Sequence, residues 1–338
     1  MKKLFLTIFF IFIFTSCSTS SRNIAQNQTA TLTIKPYFSQ TNSNFNNGGG
    51  VDDIIVKEIK SAKKSLYLAI YGFTNDRIRD ALIDAYKNGV DVIIVTDDTK
   101  MASEDINVIK DSGIKVISDE SPSSLMHHKF LVIDGSVVWT GSANYGYYAF
   151  YKNNENLVKF TSIKVAKVYL DEFDELLNGV DKEGAYVSEK LEIYFSPEDD
   201  FEQRLLQLID EASVSIDFLA FAFTNDNIAL ALIEKHKQGV NVRGVFDKKQ
   251  NDGFLKKYSK YNKLLSNSLD VKLDGNRQTM HNKVFIIDKK TVVTGSYNFT
   301  VKANEANNEN SIVVHNKEFA YRYTQEFEEI FSLGLQNQ

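Results

Sequence analysis

A single cysteine, Cys17, stands in the 338 residues of this chain, which excludes an intrachain disulfide and any metal centre built on several thiolates. Histidine is scarce too, at 5 residues, and no Asp/His/Cys cluster with metal-ligand spacing is visible. Neither a metal nor another cofactor is therefore implied. Positive charge is not in excess: 39 Lys and Arg against 44 Asp and Glu leave a net charge of −5 and a pI near 5.7. No global field draws polyanions, so a nucleic-acid substrate would need a local basic groove. Long apolar runs are missing as well. Leu4–Phe14, at the start, has 11 residues broken only by Thr7, against the ~20 that span a bilayer. What remains is 43% hydrophobic and 25% charged, the make-up of a globular protein with length for about two domains.

What is present is a duplication. The stretch Met126–Tyr145, MHHKFLVIDGSVVWTGSANY, returns as Met280–Phe299, MHNKVFIIDKKTVVTGSYNF. His127, Lys129, Asp134, Gly141, Ser142 and Asn144 recur as His281, Lys283, Asp288, Gly295, Ser296 and Asn298, each 154 positions on. An NNEN run, Asn153–Asn156, recurs as Asn307–Asn310 at the same displacement. One H-x-K-x4-D is a weak signal; two copies, each followed at a fixed distance by G-S-x-N and N-N-E-N, make a strong one. Upstream, Ser65–Asp97 aligns with Ser215–Asp247 at a displacement of 150, so the second copy carries a four-residue insertion within Lys248–Asp270.

Each copy reads as strand, helix, strand, helix, strand, strand, helix. Ser65–Phe73 and Val90–Thr96 are largely apolar, as strands covered on both faces are. Between them Ile78, Ala81, Leu82 and Ala85 fall at helical spacing, and Gly89 closes that helix. The expectation is α/β: two tandem sandwich domains, residues 32–185 and 190–333, with mixed sheets flanked by helices.

The chain opens with Lys2 and Lys3 before its short apolar run, the pattern of a signal peptide over residues 1–16. Phe14-Thr15-Ser16-Cys17 resembles the lipobox of bacterial lipoproteins. That resemblance implies a lipidated Cys17, a polar tether over 17–31, and an exported protein held at a bacterial membrane, on the periplasmic side or cell surface.

Strand parity sorts the repeated motif. Residues two apart on a strand share a face, so His127 projects with Lys129, His281 with Lys283, Ser142 with Asn144 and Ser296 with Asn298. Asp134 and Asp288 have the opposite parity and are expected outside the contact shell, holding a strand or turn. His128, replaced by Asn282 in the other copy, points away too.

H-x-K-x4-D with G-S-x-N, twice in one chain, is similar to the phospholipase D superfamily, and the order F-T-x-x-x-I…G-V-x-V…H-x-K to its small bacterial nuclease branch. The resemblance spans Leu32 to Phe331. It implies a monomer whose two halves meet at a pseudo-two-fold axis and share one active site. It also implies a catalytic set of His127, Lys129, Asp134, His281, Lys283 and Asp288.

The residue chemistry agrees. Two adjacent imidazoles do not both carry charge comfortably near pH 7, so one is expected neutral and nucleophilic and the other protonated. One attacks phosphorus to give a phosphohistidine and the other protonates the leaving oxygen. By resemblance His127 is the nucleophile and His281 the acid. Ser142, Asn144, Ser296 and Asn298 are expected to bind the substrate phosphate beside the two lysines. Glu155 and Glu309 are expected to orient the histidines from the far ring nitrogen. The implied activity is hydrolysis of phospholipid head groups. Cleavage of nucleic acid, a cardiolipin synthase-like phosphatidyl transfer and a non-catalytic phosphate-binding module are the alternatives. The aromatic run Tyr145–Tyr151 reads either as an exposed rim or as a helix start packing into the core.

Overall fold

The computed structural model describes residues 32–41, 49–179, 184–253 and 255–335; the signal peptide, Cys17 and the tether expected at 1–31 lie outside them. No helix among the described residues is long and apolar enough to cross a membrane.

In the first copy the chain runs β1 (Thr33–Phe38), α1 (Val51–Ser61), β2 (Ser65–Ile70), β3 (Phe73–Thr74), α2 (Asp76–Lys87) and β4 (Asp91–Thr96). It continues through α3 (Glu104–Asp111), β5 (Lys115–Ser118), β6 (Lys129–Ile133) and β7 (Val137–Gly141). Then come β8 (Tyr145–Gly146), α4 (Tyr147–Tyr151), β9 (Asn156–Thr161) and α5 (Ile163–Asn178). The second copy opens with β10 (Tyr186–Val187), β11 (Leu191–Ser196), α6 (Phe201–Asp210), β12 (Ser215–Ala220), α7 (Asp226–Lys237) and β13 (Asn241–Phe246). It closes with α8 (Tyr261–Ser266), β14 (Asp270–Leu273), β15 (Lys283–Ile287), β16 (Thr291–Gly295), α9 (Val301–Glu305), β17 (Glu309–His315) and α10 (Lys317–Leu333).

The first sheet has the order β1-β9-β7-β6-β2-β4-β5, and the second repeats it as β11-β17-β16-β15-β12-β13-β14 with β10 added at its edge. Each therefore holds more strands than the four expected per copy. The strands β2, β4 and β5 run parallel and the rest of the sheet antiparallel, as do their counterparts, so both sheets are mixed. The shared F-T-N-D sequence finds its reason at a helix start. Asn75 accepts the Ile78 N–H at 3.0 Å and Asn225 the Ile228 N–H at 3.1 Å, satisfying one of the open donors of α2 and α7.

Three apolar layers divide the molecule. α1, α2 and α3 cover the outer face of the first sheet, and α6, α7 and α8 that of the second. The inner faces share one core, in which α5 contributes Val165, Tyr169 and Phe173 and α10 contributes Phe319, Tyr323, Phe327 and Phe331. Both copies thus belong to a compact unit that runs from Thr31 to Gln338. Pairing of Ile70 with Lys129 and of Ala220 with Lys283 sets the start of β6 and β15 against the C-terminal ends of β2 and β12. All the motif residues but the two aspartates gather at that end.

Candidate active site

Gly141 and Gly295 end β7 and β16 with φ of +147° and +146°, where a Cβ would meet the Asn156 and Asn310 carbonyl oxygens at 2.3 and 2.1 Å. Only glycine admits that approach, and it sets each G-S against the N-N-E-N of its own copy. Ser142 Oγ donates to Glu155 Oε2 at 2.6 Å, and Ser296 Oγ to Glu309 Oε2 at 2.6 Å. Both hydroxyls also accept the N–H of the following asparagine, Asn156 or Asn310, at 3.0 Å. The serines, expected to touch phosphate, are instead buried behind the glutamates and hold them.

The glutamates then cross between the copies. Glu309 takes Nδ1 of His127 at 2.8 Å, and Glu155 takes Nδ1 of His281 at 2.9 Å. Backbone bridges follow the same route, His127 N–H to the Asn308 carbonyl and His281 N–H to the Asn154 carbonyl, both 2.9 Å. An imidazole pinned at Nδ1 keeps Nε2 for chemistry. His127 and His281 are 7% and 8% exposed, enough for one edge of each ring to meet a ligand. Neither histidine takes its Nδ1 partner from its own copy.

Lys129 and Lys283 are buried beside them, their ammonium groups donating to the His127 and His281 carbonyls, the second at 2.6 Å. Burial pushes Lys129 down to about 7 and Lys283 to about 8, with carboxylates of the site pulling the other way. Burial and the two lysines likewise hold His127 well below the usual imidazole range and His281 below it, though Glu155 draws the latter back up. Desolvation, more than the mutual repulsion of the two rings, is what lowers both imidazoles. Burial also raises Glu309 to about 7 against the pull of Lys129 and Ser296.

Asn144 Oδ1 accepts the Gly72 N–H at 3.1 Å, turning its amide nitrogen toward a ligand. A Cβ at residue 72 would crowd Asn144 at 3.1 Å; Ala222 stands at that position in the second copy, and Asn298 Oδ1 has no hydrogen-bond partner among the described residues.

Asp134 and Asp288, members of the motif's catalytic set by resemblance, are not in the site. Asp134 accepts the N–H groups of Lys63, Lys64 and Ser65 at 2.7–3.1 Å, and Asp288 those of Ser213, Val214 and Ser215 at 2.7–3.2 Å. Each clamps the turn into β2 or β12, at the opposite end of the sheet. His128 also points away, its Nε2 2.7 Å from Glu172.

Several further residues shape the site, and Tyr71, Phe221, Asp97 and Asp247 among them lie outside the motifs. Tyr71 packs edge-on to the His127 ring with centroids 5.1 Å apart, and Phe221 to His281 at 4.5 Å. Asp97 and Asp247 accept the N–H of Met126 and Met280, fixing the residue before each histidine. Asn156 reaches Asn282 at 2.7 Å and Asn310 reaches Thr140 at 2.8 Å, tying the copies together. Recurrence at displacements 150 and 154 is the signal that finds them. Asp97 also gathers with Asp98 and Asp119, carboxylate oxygens within 4.8 Å of one another, a cluster that sequence spacing did not reveal. Asp97 accepts from Thr99 and Met126, and Asp119 from the Asp98 N–H, so two of them brace the turn.

The second copy carries a run of lysines ahead of His281, Lys256, Lys257, Lys260, Lys263 and Lys272; of these, Lys260 and Lys263 pair with Asp226 at 2.8 Å and Lys272 donates to the Phe331 carbonyl at 3.0 Å. Only Lys256 and Lys257 of that run face solvent. In the aromatic run, Tyr145, Phe150 and Tyr151 are core; Tyr148 alone is 56% exposed.

The sequence matches the family model "Cardiolipin synthase, PLD-like domain" twice, over residues 55–177 and 205–331. It is 37% identical over 136 residues to a phospholipase D of Rickettsia conorii, a match covering 40% of this chain and 66% of that protein. It is 35% identical over 124 residues to the mitochondrial cardiolipin hydrolase of Xenopus laevis, covering 36% and 59%. The matches thus span 66% and 59% of the length of these relatives. Among solved structures, the phosphatidylserine synthase of Haemophilus influenzae superposes with a TM-score of 0.68 at 13% identity, over 89% of this chain and 86% of that one, a likeness of fold.

Proposed function

The chain belongs to the family of phospholipase D-like domains of the cardiolipin synthase type, and from that membership we propose that it is a phosphodiesterase hydrolysing phospholipid head groups through a phosphohistidine. The observation that carries the reading is the pair of crossed Ser–Glu–His chains, which present two Nε2 atoms and two buried lysines to one place. A diester anion entering there is drawn by Lys129 and Lys283, and its charge raises the proton affinity of the imidazoles, so the acid gains its proton with the substrate. His127 Nε2 forms the P–N bond as the P–O bond breaks, and His281 gives its proton to the leaving oxygen. His281 then takes a proton from water, whose oxygen displaces His127. The lysines and the amides of Asn144 and Asn298 face the phosphoryl oxygens; Ser142, Ser296, Glu155 and Glu309 position the rings.

A lipid substrate is favoured by the names of the relatives, a phospholipase D and a cardiolipin hydrolase, and by an acidic whole. A lipid anchor at Cys17 outside the cytoplasm, on a monomer that is an intramolecular pseudo-dimer, completes the proposal. A tethered enzyme meets bilayer lipid at high effective concentration. The test is purified protein on phosphatidylglycerol vesicles, bis(p-nitrophenyl) phosphate and single-stranded DNA. Release of phosphatidic acid faster than DNA cleavage is expected; DNA cleavage with inert vesicles would make it a nuclease.

A further inference from the structure

The loop after β13 is where the two copies differ most at the site end. From β4 to α3 the chain turns within residues 97–103, whereas from β13 to α8 it takes residues 247–260, within which part or all of the insertion falls. Lys248, Lys249, Lys256 and Lys257 are exposed on this loop. Leu255 and Tyr258 stand among them, 44% and 48% exposed, with the Lys257 ammonium 4.7 Å from the Tyr258 ring centre. Asp252 is the one outward acid of the loop's described residues, since Asp247 is buried and accepts from Gln250 and Met280. In a chain of net charge −5, this is a concentration of the opposite sign.

Its position matters as much as its charge. Leu255 and Tyr258 form one wall of a recess of about 180 Å³ whose other wall is Ala222, Phe223 and Thr224. Phe221, the residue before, packs on the His281 ring. The apolar tips and the lysines therefore stand beside the second-copy half of the site.

We propose that this loop is a docking surface for an anionic lipid bilayer, an inference that rests on the phospholipid reading above. Lysine ammonium groups gain against an anionic surface, and an exposed leucine beside a half-exposed tyrosine suits the headgroup boundary. Single-stranded nucleic acid would use the lysines and the tyrosine. It offers nothing to an exposed aliphatic Leu255, and so the lipid surface is the better fit. Docked this way, the site mouth faces lipid phosphates.

The test compares the full chain with Lys256→Glu/Lys257→Glu and Leu255→Ser variants. Sedimentation with phosphatidylglycerol vesicles, pure phosphatidylcholine vesicles and fluorescent single-stranded DNA reads binding; bis(p-nitrophenyl) phosphate reads the site itself. The expected result is a preference of the parent for anionic vesicles that weakens with salt. Charge reversal should lower that binding at least about tenfold. Leu255→Ser should weaken it with the salt dependence kept, and both variants should turn over the soluble diester at the parental rate. Equal binding of all three proteins to anionic vesicles would overturn the docking surface. Loop-dependent binding to DNA but not to vesicles would overturn the choice of lipid. Loop-dependent vesicle binding without phospholipid hydrolysis would leave docking standing and sink the phospholipase reading instead.

Discussion

Each motif imidazole is held at Nδ1 by a carboxylate from the other copy, 2.8 Å for His127 and 2.9 Å for His281. A hydrogen bond to a charged group contributes about 1.5–3 kcal/mol, so Glu309→Gln and Glu155→Gln should each lower kcat/KM roughly 10- to 150-fold. Phosphohistidine trapping tells the two apart: with His127 the proposed nucleophile, Glu309→Gln should slow its formation, while Glu155→Gln should let it persist. Identical effects on both steps would contradict the crossed assignment. The lysines set the pH dependence. With Lys129 lowered to about 7 and Lys283 to about 8, raising pH through that interval removes protons and positive charge from the phosphate site. In the free enzyme kcat/KM should therefore fall from about pH 7 upward, measured on a soluble diester. A flat profile from pH 6 to 9 would contradict it.

The turns and strand ends hold what the motif letters conceal. Asp134 and Asp288 are written into the repeated motif as firmly as the histidines, yet each clamps three backbone N–H groups at the far end of its sheet. Burial works to raise the Asp288 carboxyl, but the N–H groups of Ser215, Val214 and Ser213 outweigh it and hold the group near 2. Its stabilising contribution is present above the unfolded value near 4 and is lost as pH falls toward about 2. Asp134→Asn should lower the melting temperature while leaving kcat of the folded fraction within about twofold. A large loss of kcat at full stability would restore the aspartate to the chemistry. Gly141→Ala, which puts a Cβ against the Asn156 carbonyl, should cost on the order of 2–5 kcal/mol by thermal unfolding. Parity set the aspartates outside the contact shell, but the physical reason is position: Asp134 and Asp288 stand just past the ends of β6 and β15, each at a φ of +51°. The serines also lie just past β7 and β16, where parity no longer applies, and there they donate to Glu155 and Glu309. Tyr71 and Phe221 were legible only as repeated positions, since an aromatic at a strand end announces no partner.

Duplication made the architecture readable at the scale of the whole molecule. The equal displacement of two motif sets required two similar sheets, and the shared core with α5 and α10 between them is how those sheets face one another. The exchange of glutamates was not readable, because a repeat shows what each copy contains and not which copy a side chain serves. Both histidines, both lysines and both glutamates are needed in one place, and no metal takes part in the proposed steps. Activity should therefore survive excess EDTA; loss on chelation restored by a divalent ion would replace this mechanism. The claim that one site is built from both copies is tested most directly by turnover of bis(p-nitrophenyl) phosphate in His127→Asn and His281→Asn. Each single substitution should lower kcat by ~10²–10⁴-fold or more. A near-parental rate in either one would mean that a single copy suffices, and the shared site would be wrong.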